Sequence, residues 1–329
     1  MRQAYNEKNA ACGGDDMTRR VLFFRNFLWF TGGHLKVWDY FNHVRSSGDH
    51  SAHIHFSRES LWDASNPWLA LRGEAVRSWR EFAAEARFLA GLDWQMIDAA
   101  ERERSPVPVI NLIQHVRHGR AGDPRYAFLR HRAIRICVGE EIRASIDATG
   151  QVNGPAFTIL NGLNLEPRQL ALRGSAEPES DILVAAIKQP ELGAQLARRL
   201  QREGRRVELL AAPLLRADYL ERVARARVTV FLPNPAEGLY LPPLEGMALG
   251  TLVVCARVPG TEYCRAGDNC FYPEYSLDAL QAAAEAAAAL GPGQRARLLA
   301  QADEAVARHD LAKERKAFLD ILRHVDELW

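Results

Sequence analysis

Short apolar runs alternate with longer amphipathic stretches along most of the chain. Residues 21–27, VLFFRNF, form a compact apolar and aromatic run, which reads as a buried strand. TGGH follows at 31–34, and then LKVWDYFNHV, in which Leu35, Trp38, Phe41 and Val44 recur at helical spacing. Residues 52–57 (AHIHFS), 107–115 (VPVINLIQH), 133–139 (AIRICVG) and 156–161 (AFTILN) read as further strands. Between them, residues 74–92 predict an amphipathic helix, with Val76, Trp79, Ala83, Ala86 and Ala90 on one stripe.

A turn-rich, polar segment at 161–181 interrupts this pattern, and a second alternating set follows. ILVAAI at 182–187 predicts a strand. Residues 189–204 predict a helix with Pro190 in its first turn and Gly204 as its stop. VELLA (207–211) and VTVFLP (228–233) read as strands on either side of a short helix at 217–226. LPPLEGMALG predicts a helix entered through proline and closed by Gly250, with TLVVCA (251–256) as the next strand. Ala-rich and charged helices fill 276–329. Strands alternating with helices predict parallel α/β sheets.

With 329 residues, two domains are the expectation. The partition reads as a disordered tail at 1–18, an N-terminal domain at 19–165 and a C-terminal domain at 166–310. A last helix at 311–329 is expected to pack back on the first domain. Residues before Met17 read as such a tail or as an over-long gene start. The net charge of +1 argues against general nucleic-acid binding. Five cysteines, an odd count without CxxC, read as reduced thiols in the cytoplasm. No apolar run reaches the ~18 residues of a membrane span.

The chemistry concentrates in EGLYLPPLEGMALGTLVV, residues 237–254. Glu237 follows a strand's carboxyl end, where ligands of open α/β sheets bind. Gly238 permits close approach of backbone N–H groups to an anion. Glu245, at a helix start, either answers the helix dipole or accepts hydrogen bonds from ribose hydroxyls. Two glycines before a helix, Gly32 and Gly33, suit an anion or serve as a plain turn. His53 and His55 share a strand face, without a third metal ligand nearby. There is no GxxxxGK[ST], no GxGxxG and no DxD.

The segment NPAEGLYLPPLEGMALGTLVVCARVPGTEYCRAGDNCFY resembles the C-terminal signature of retaining GT-B glycosyltransferases, the family-four-like group. That signature is a Glu, seven residues, a second Glu, a helix of small residues, a glycine, a strand and a PG…E loop. Glu237, Glu245, Gly250, Thr251, Pro259, Gly260 and Glu262 stand at the matching positions. FTILNGLNLEP is similar to the entry into the C-terminal domain, TGGH to the glycine loop near the donor phosphate, and NLIQHVRHG to the segment carrying an active-site His. His115, ending its strand, is preferred over His118.

The resemblance implies a GT-B fold, two Rossmann-like domains facing a central cleft. It implies transfer of a sugar, with retention, from a nucleoside-diphosphate sugar to a glycan or lipid-linked acceptor. Glu237, His115 and Lys188 would be the catalytic residues. Glu245 would hold the ribose, with Gly238, Leu239, Gly32 and Gly33 also on the donor. No metal and no separate cofactor is implied. Surface-polysaccharide assembly in the cytoplasm is the expected setting, with peripheral contact at the inner face of the membrane as an option.

The family also has an Arg five residues before its Lys. Here that position is Leu183, which leaves Arg216 or an N-terminal basic residue as a substitute, or a weakened phosphate site. The departure keeps a non-catalytic GT-B scaffold as an alternative, with a sugar-nucleotide epimerase behind it. On the acceptor side, Trp29, Trp38, Trp62, Trp68, Trp79 and Trp94 cluster early, as core or as sugar-stacking rings. Arg117, Arg120, Arg125, Arg130, Arg132 and Arg135 form a basic run, read as a solvated face or as a surface for a phosphate-bearing or lipid-linked acceptor.

Overall fold

The computed structural model describes residues 18–174 and 178–329. The expected tail, apart from its last residue Thr18, and Cys12 lie outside the described residues. The N-terminal half contains β1 (Arg19–Arg25), α1 (Gly32–Arg45), β2 (His50–Phe56), β3 (Ala86–Ala90), α2 (Ala99–Glu103), β4 (Val109–Ile113), β5 (Ile134–Cys137), α3 (Glu140–Asp147) and β6 (Ala156–Thr158). Its six strands run in the order β2-β1-β3-β4-β5-β6, and every pair is parallel. The short helix α4 (Pro167–Leu170) then leads into β7 (Ser180–Ala185), α5 (Pro190–Arg202), β8 (Val207–Leu210), α6 (Arg216–Ala224), β9 (Ala226–Phe231), α7 (Pro242–Leu249) and β10 (Leu252–Cys255). These four strands form a second parallel sheet, β10-β9-β7-β8. Four helices close the chain: α8 (Leu277–Ala288), α9 (Pro292–Arg308), α10 (Leu311–Arg323) and α11 (Val325–Leu328).

The strands lack polar–apolar alternation because helices and loops cover both faces. Phe23, Phe88, Ile110 and Ile136 belong to one core, while Leu22, Leu89 and Val109 belong to another on the opposite face. Such runs suit parallel sheets. The helix expected over 74–92 is not formed. Its last part is the strand β3, all five residues of which are buried. A 3-10 turn occupies Leu69–Glu74, and an irregular segment carries Trp79 into the core under β1. The stripe of small residues was compatible with either geometry. A strand buried on both faces shows no period, and Gly91, at φ +58°, ends it in a turn that a continuing helix would not make.

α10 lies against α1, and its Phe318, Leu319, Ile321 and Leu322 complete the core of the six-stranded sheet. A buried polar cluster fixes this crossing. Lys36 Nζ donates to Asp39 Oδ2 and is 2.7 Å from Glu314 Oε2, with a further bond of 3.0 Å to the Gly162 carbonyl. His43 Nε2 lies 2.9 Å from Glu314 Oε1. Gly162 has no room for a side chain, since a Cβ there would fall 2.4 Å from the Leu311 backbone. Among the described residues, no helix is long and apolar enough to cross a membrane.

Candidate functional site

Each sheet reverses its strand order once, between β1 and β3 and between β7 and β9. Ligands of open α/β sheets bind outside the strand carboxyl ends at such reversals. Both reversals open on one cleft of about 1030 Å³. The segments after β1, β3 and β4 line one side, and those after β7 and β9 line the other. Every one of the predicted site residues (Gly32, Gly33, His115, Lys188, Glu237, Gly238, Leu239 and Glu245) lines this cleft.

The two carboxylates are each engaged by a different cation. Lys188, just beyond β7, donates from Nζ to Glu237 Oε1 at 2.6 Å, and Glu237 Oε1 also accepts from the Asn234 backbone N–H at 2.8 Å. Lys188 further stands over the Tyr240 ring, 4.7 Å from its centroid. Its side chain stays 39% exposed, against 11% for Glu237, so the lysine can turn toward a ligand while the carboxylate is fixed. Glu245, in the first turn of α7, accepts from Arg216 Nη1 at 2.7 Å. Pro242 and Pro243 open that helix without N–H groups.

Leu183, where the resembling family has an arginine, is fully buried in the core beneath α7. Arg216 does not stand free in its place. Its guanidinium is held between Glu245 and the Asn164 carbonyl, the latter at 3.0 Å.

On the opposite wall, Thr31 caps α1 and its Oγ1 accepts from the His34 N–H. Gly32 is open to solvent, whereas a Cβ at Gly33 would press to 3.2 Å from Gln114 Oε1. His115 is tied to the backbone on both ring nitrogens. Its Nδ1 accepts from the Arg117 backbone N–H at 3.1 Å, which leaves Nε2–H to donate to the Ala236 carbonyl at 3.3 Å. The imidazole thus grips the loop that carries Glu237. Burial and then Arg117 lower its pKa to about 4. His118 is almost fully buried, and burial followed by Arg125 lowers it to about 3. Gly238 forms an isolated antiparallel bridge with His115, and Leu239 packs against the cores of both halves.

A third cluster was not anticipated. Arg25, at the end of β1, is buried and ion-paired to Asp93, and its Nη1 lies 3.4 Å from His34 Nδ1. A guanidinium only donates, so His34 Nδ1 accepts and its proton sits on Nε2. Burial and Arg25 lower the His34 pKa to about 3. A charged residue inside the apolar run VLFFRNF, at the end of β1, was the available signal.

Among the tryptophans, Trp68, Trp79 and Trp94 are buried, whereas Trp29 is 64% exposed at the cleft. The basic run is dispersed. Arg135 is wholly buried, with its bonds to backbone carbonyls including Leu129 and His131, Arg125 pairs with Asp123, and Arg132 covers Trp329. His53 and His55 bond Ser51 and the Val76 carbonyl.

No protein-family model matches the chain, and no curated protein matches it. Solved structures do. HepE of Anabaena, in complex with UDP-glucose, superposes with a TM-score of 0.66 over 92% of this chain and 99% of that one, at 14% identity. Sucrose-phosphate synthase of Thermosynechococcus elongatus gives 0.66 over 94% and 99%, at 13% identity. The lipopolysaccharide outer core galactosyltransferase WaaB gives 0.65 over 93% and 99%, at 9% identity. The likeness is one of fold: the chain has the GT-B architecture, two Rossmann-like units about a central cleft.

Proposed function

We propose that the chain is a retaining glycosyltransferase that moves a sugar from a nucleoside-diphosphate sugar to an acceptor hydroxyl. The observation that carries this reading is the pair of carboxylates with seven residues between them, both in the wall of one interdomain cleft and each matched to a cation. Glu245 accepts the ribose hydroxyls. Glu237 and the Gly238–Leu239 backbone address the donor sugar. Lys188 leaves Glu237 for the diphosphate as charge develops on the leaving group, and the Gly32–Gly33 end of α1 adds its dipole. The departing phosphate oxygen takes the acceptor proton as the new glycosidic bond forms on the face the diphosphate leaves. His115 supports this site by holding the Glu237 loop.

The acceptor is a glycan or a lipid-linked glycan. Exposed Trp29, Leu92, Met96 and Leu214 line the same cleft and suit an acceptor with an apolar part. Surface-polysaccharide assembly at the cytoplasmic face of a membrane is the setting we favour.

HepE holds UDP-glucose, which makes UDP the first probe. Thermal-shift measurements with UDP, GDP, ADP, TDP and CMP, repeated with Glu245→Ala, test the reading. Stabilisation by one diphosphate, lost in the variant, supports it. No stabilisation by any of them refutes it. Binding without release of the diphosphate in the presence of glycan acceptors would instead favour a non-catalytic scaffold on the same fold.

A further inference from the structure

We infer that Arg216 makes this cleft selective for ribonucleoside over 2′-deoxyribonucleoside diphosphates, by fixing the carboxylate of Glu245 in the orientation that receives a ribose diol. The inference rests on the function proposed above and adds a residue to it.

Arg216 is the first residue of α6. A cation at a helix N-terminus opposes the helix dipole, so local structure gives no reason for an arginine here. Its partners do. Nη1 donates to Glu245 Oε1 at 2.7 Å, and Nη2 donates to the Asn164 carbonyl at 3.0 Å. Glu245 is only 4% exposed and Arg216 23%, so the pair sits below the cleft surface. Burying a carboxylate without a partner is costly, so without a cation this one would turn to another rotamer. Arg216 holds it in place and uses one acceptor position on Oε1. Among the described residues, no hydrogen bond reaches Oε2. An ionised carboxylate offers about four acceptor positions over its two oxygens, so the vicinal hydroxyls of a ribose still find a pair.

The arginine is itself anchored. Asn164, whose carbonyl it binds, donates its side-chain amide to Asp39 Oδ1, within the buried cluster of Lys36 and Glu314. The orientation of Glu245 is therefore referred to the crossing between the two halves, not only to its own helix. Tyr219, one turn along α6, also lines the cleft, and burial with the nearby Glu245 charge pushes its hydroxyl pKa up. It adds a wall that holds water away from the pair.

The test is calorimetric titration of the full chain with UDP, 2′-deoxy-UDP and inorganic diphosphate. If another base binds better, its own ribo and deoxy pair replaces the uridine compounds. Wild type should prefer the ribonucleotide by about tenfold or more, the value of a hydrogen bond to a charged group. Arg216→Met should bring that ratio close to one while leaving inorganic diphosphate binding unchanged. Arg216→Lys should retain part of the preference, and it serves where the methionine variant does not fold.

A variant that discriminates as well as wild type overturns the inference. So does an equal loss of inorganic diphosphate binding, which would make Arg216 a phosphate ligand. So does a wild type that binds both nucleotides alike. The first two leave the proposed function standing, the third removes the ribose role of Glu245 from it, and a wild type that binds no nucleotide overturns both.

Discussion

Gly238→Ala tests the apposition of the two halves at the point where they carry the site. A Cβ on Gly238 would stand 2.0 Å from the Gln114 carbonyl oxygen, 3.1 Å from its carbon and 3.4 Å from His115 Cα. These are backbone atoms, so no rotamer change relieves the overlap. Gly238 is not among the glycines with positive φ, so alanine adds no backbone strain of its own. The effect is steric. Relief to ordinary contact near 3.4 Å requires the loop after β9 and the end of β4 to part by about 1.0–1.4 Å. That movement strains the bridge to His115 and shifts Glu237, one residue away. A displacement of about 1 Å at reacting groups costs about 10²-fold in rate, roughly 2.7 kcal/mol of barrier. The assay is release of nucleoside diphosphate from the donor, as kcat/KM, alongside a melting curve. We expect a fall of about a hundredfold with a modest loss of melting temperature. Gly32→Ala is the control, because its Cβ meets nothing within 4 Å, and the unliganded protein should melt as wild type. If Gly238→Ala turns over and melts like wild type, the two halves are not in contact at this loop.

The sequence displayed the C-terminal wall more clearly than the N-terminal one. Glu237 and Glu245 are read from their spacing because β9, the loop and α7 are consecutive in the chain, so local geometry places both. Lys188 is implied by the resemblance alone, and it stands just beyond the end of β7. The partners of these groups come from elsewhere. Arg216 reaches Glu245 from another helix, and Arg25 pairs with Asp93 across two strands. Such pairings depend on tertiary packing, and no period or spacing announces them. The missed strand has a different cause. Ala86–Ala90 is buried on both faces, and its alanines favour helix intrinsically, so propensity and periodicity failed together. The run of arginines misleads in the same way. Arg135 looks solvated by composition, yet it is wholly buried and organises the carbonyls of the segment before β5.

Two further outcomes follow from buried charge. Lys36→Met leaves Asp39 and Glu314 facing each other without their cation, with both side chains wholly buried. We expect a loss of about 3–5 kcal/mol, seen as a fall of roughly 6–20 °C in melting temperature, and an unchanged melt would contradict the reading of that cluster. The last outcome concerns acid. His34, His115 and His118 have folded pKa values lowered from 6.5 to about 3, 4 and 3, chiefly by burial. The fold therefore holds them neutral, while the unfolded chain takes up protons as pH falls below its own value of about 6.5. Their contribution to stability is complete above that pH and is lost progressively as pH drops toward 4. For a fully buried histidine the slope approaches about 1.4 kcal/mol per pH unit. His118, the most buried, comes nearest to that limit. Melting temperature should decline steadily from pH 6.5 to 4, and His118→Gln should flatten the decline. The comparison with the variant separates this histidine from groups such as Glu262. Burial and then Glu141 raise the Glu262 pKa, so its contribution is present at low pH and is lost as pH rises. Identical slopes for wild type and variant would mean that His118 is not held neutral by the fold.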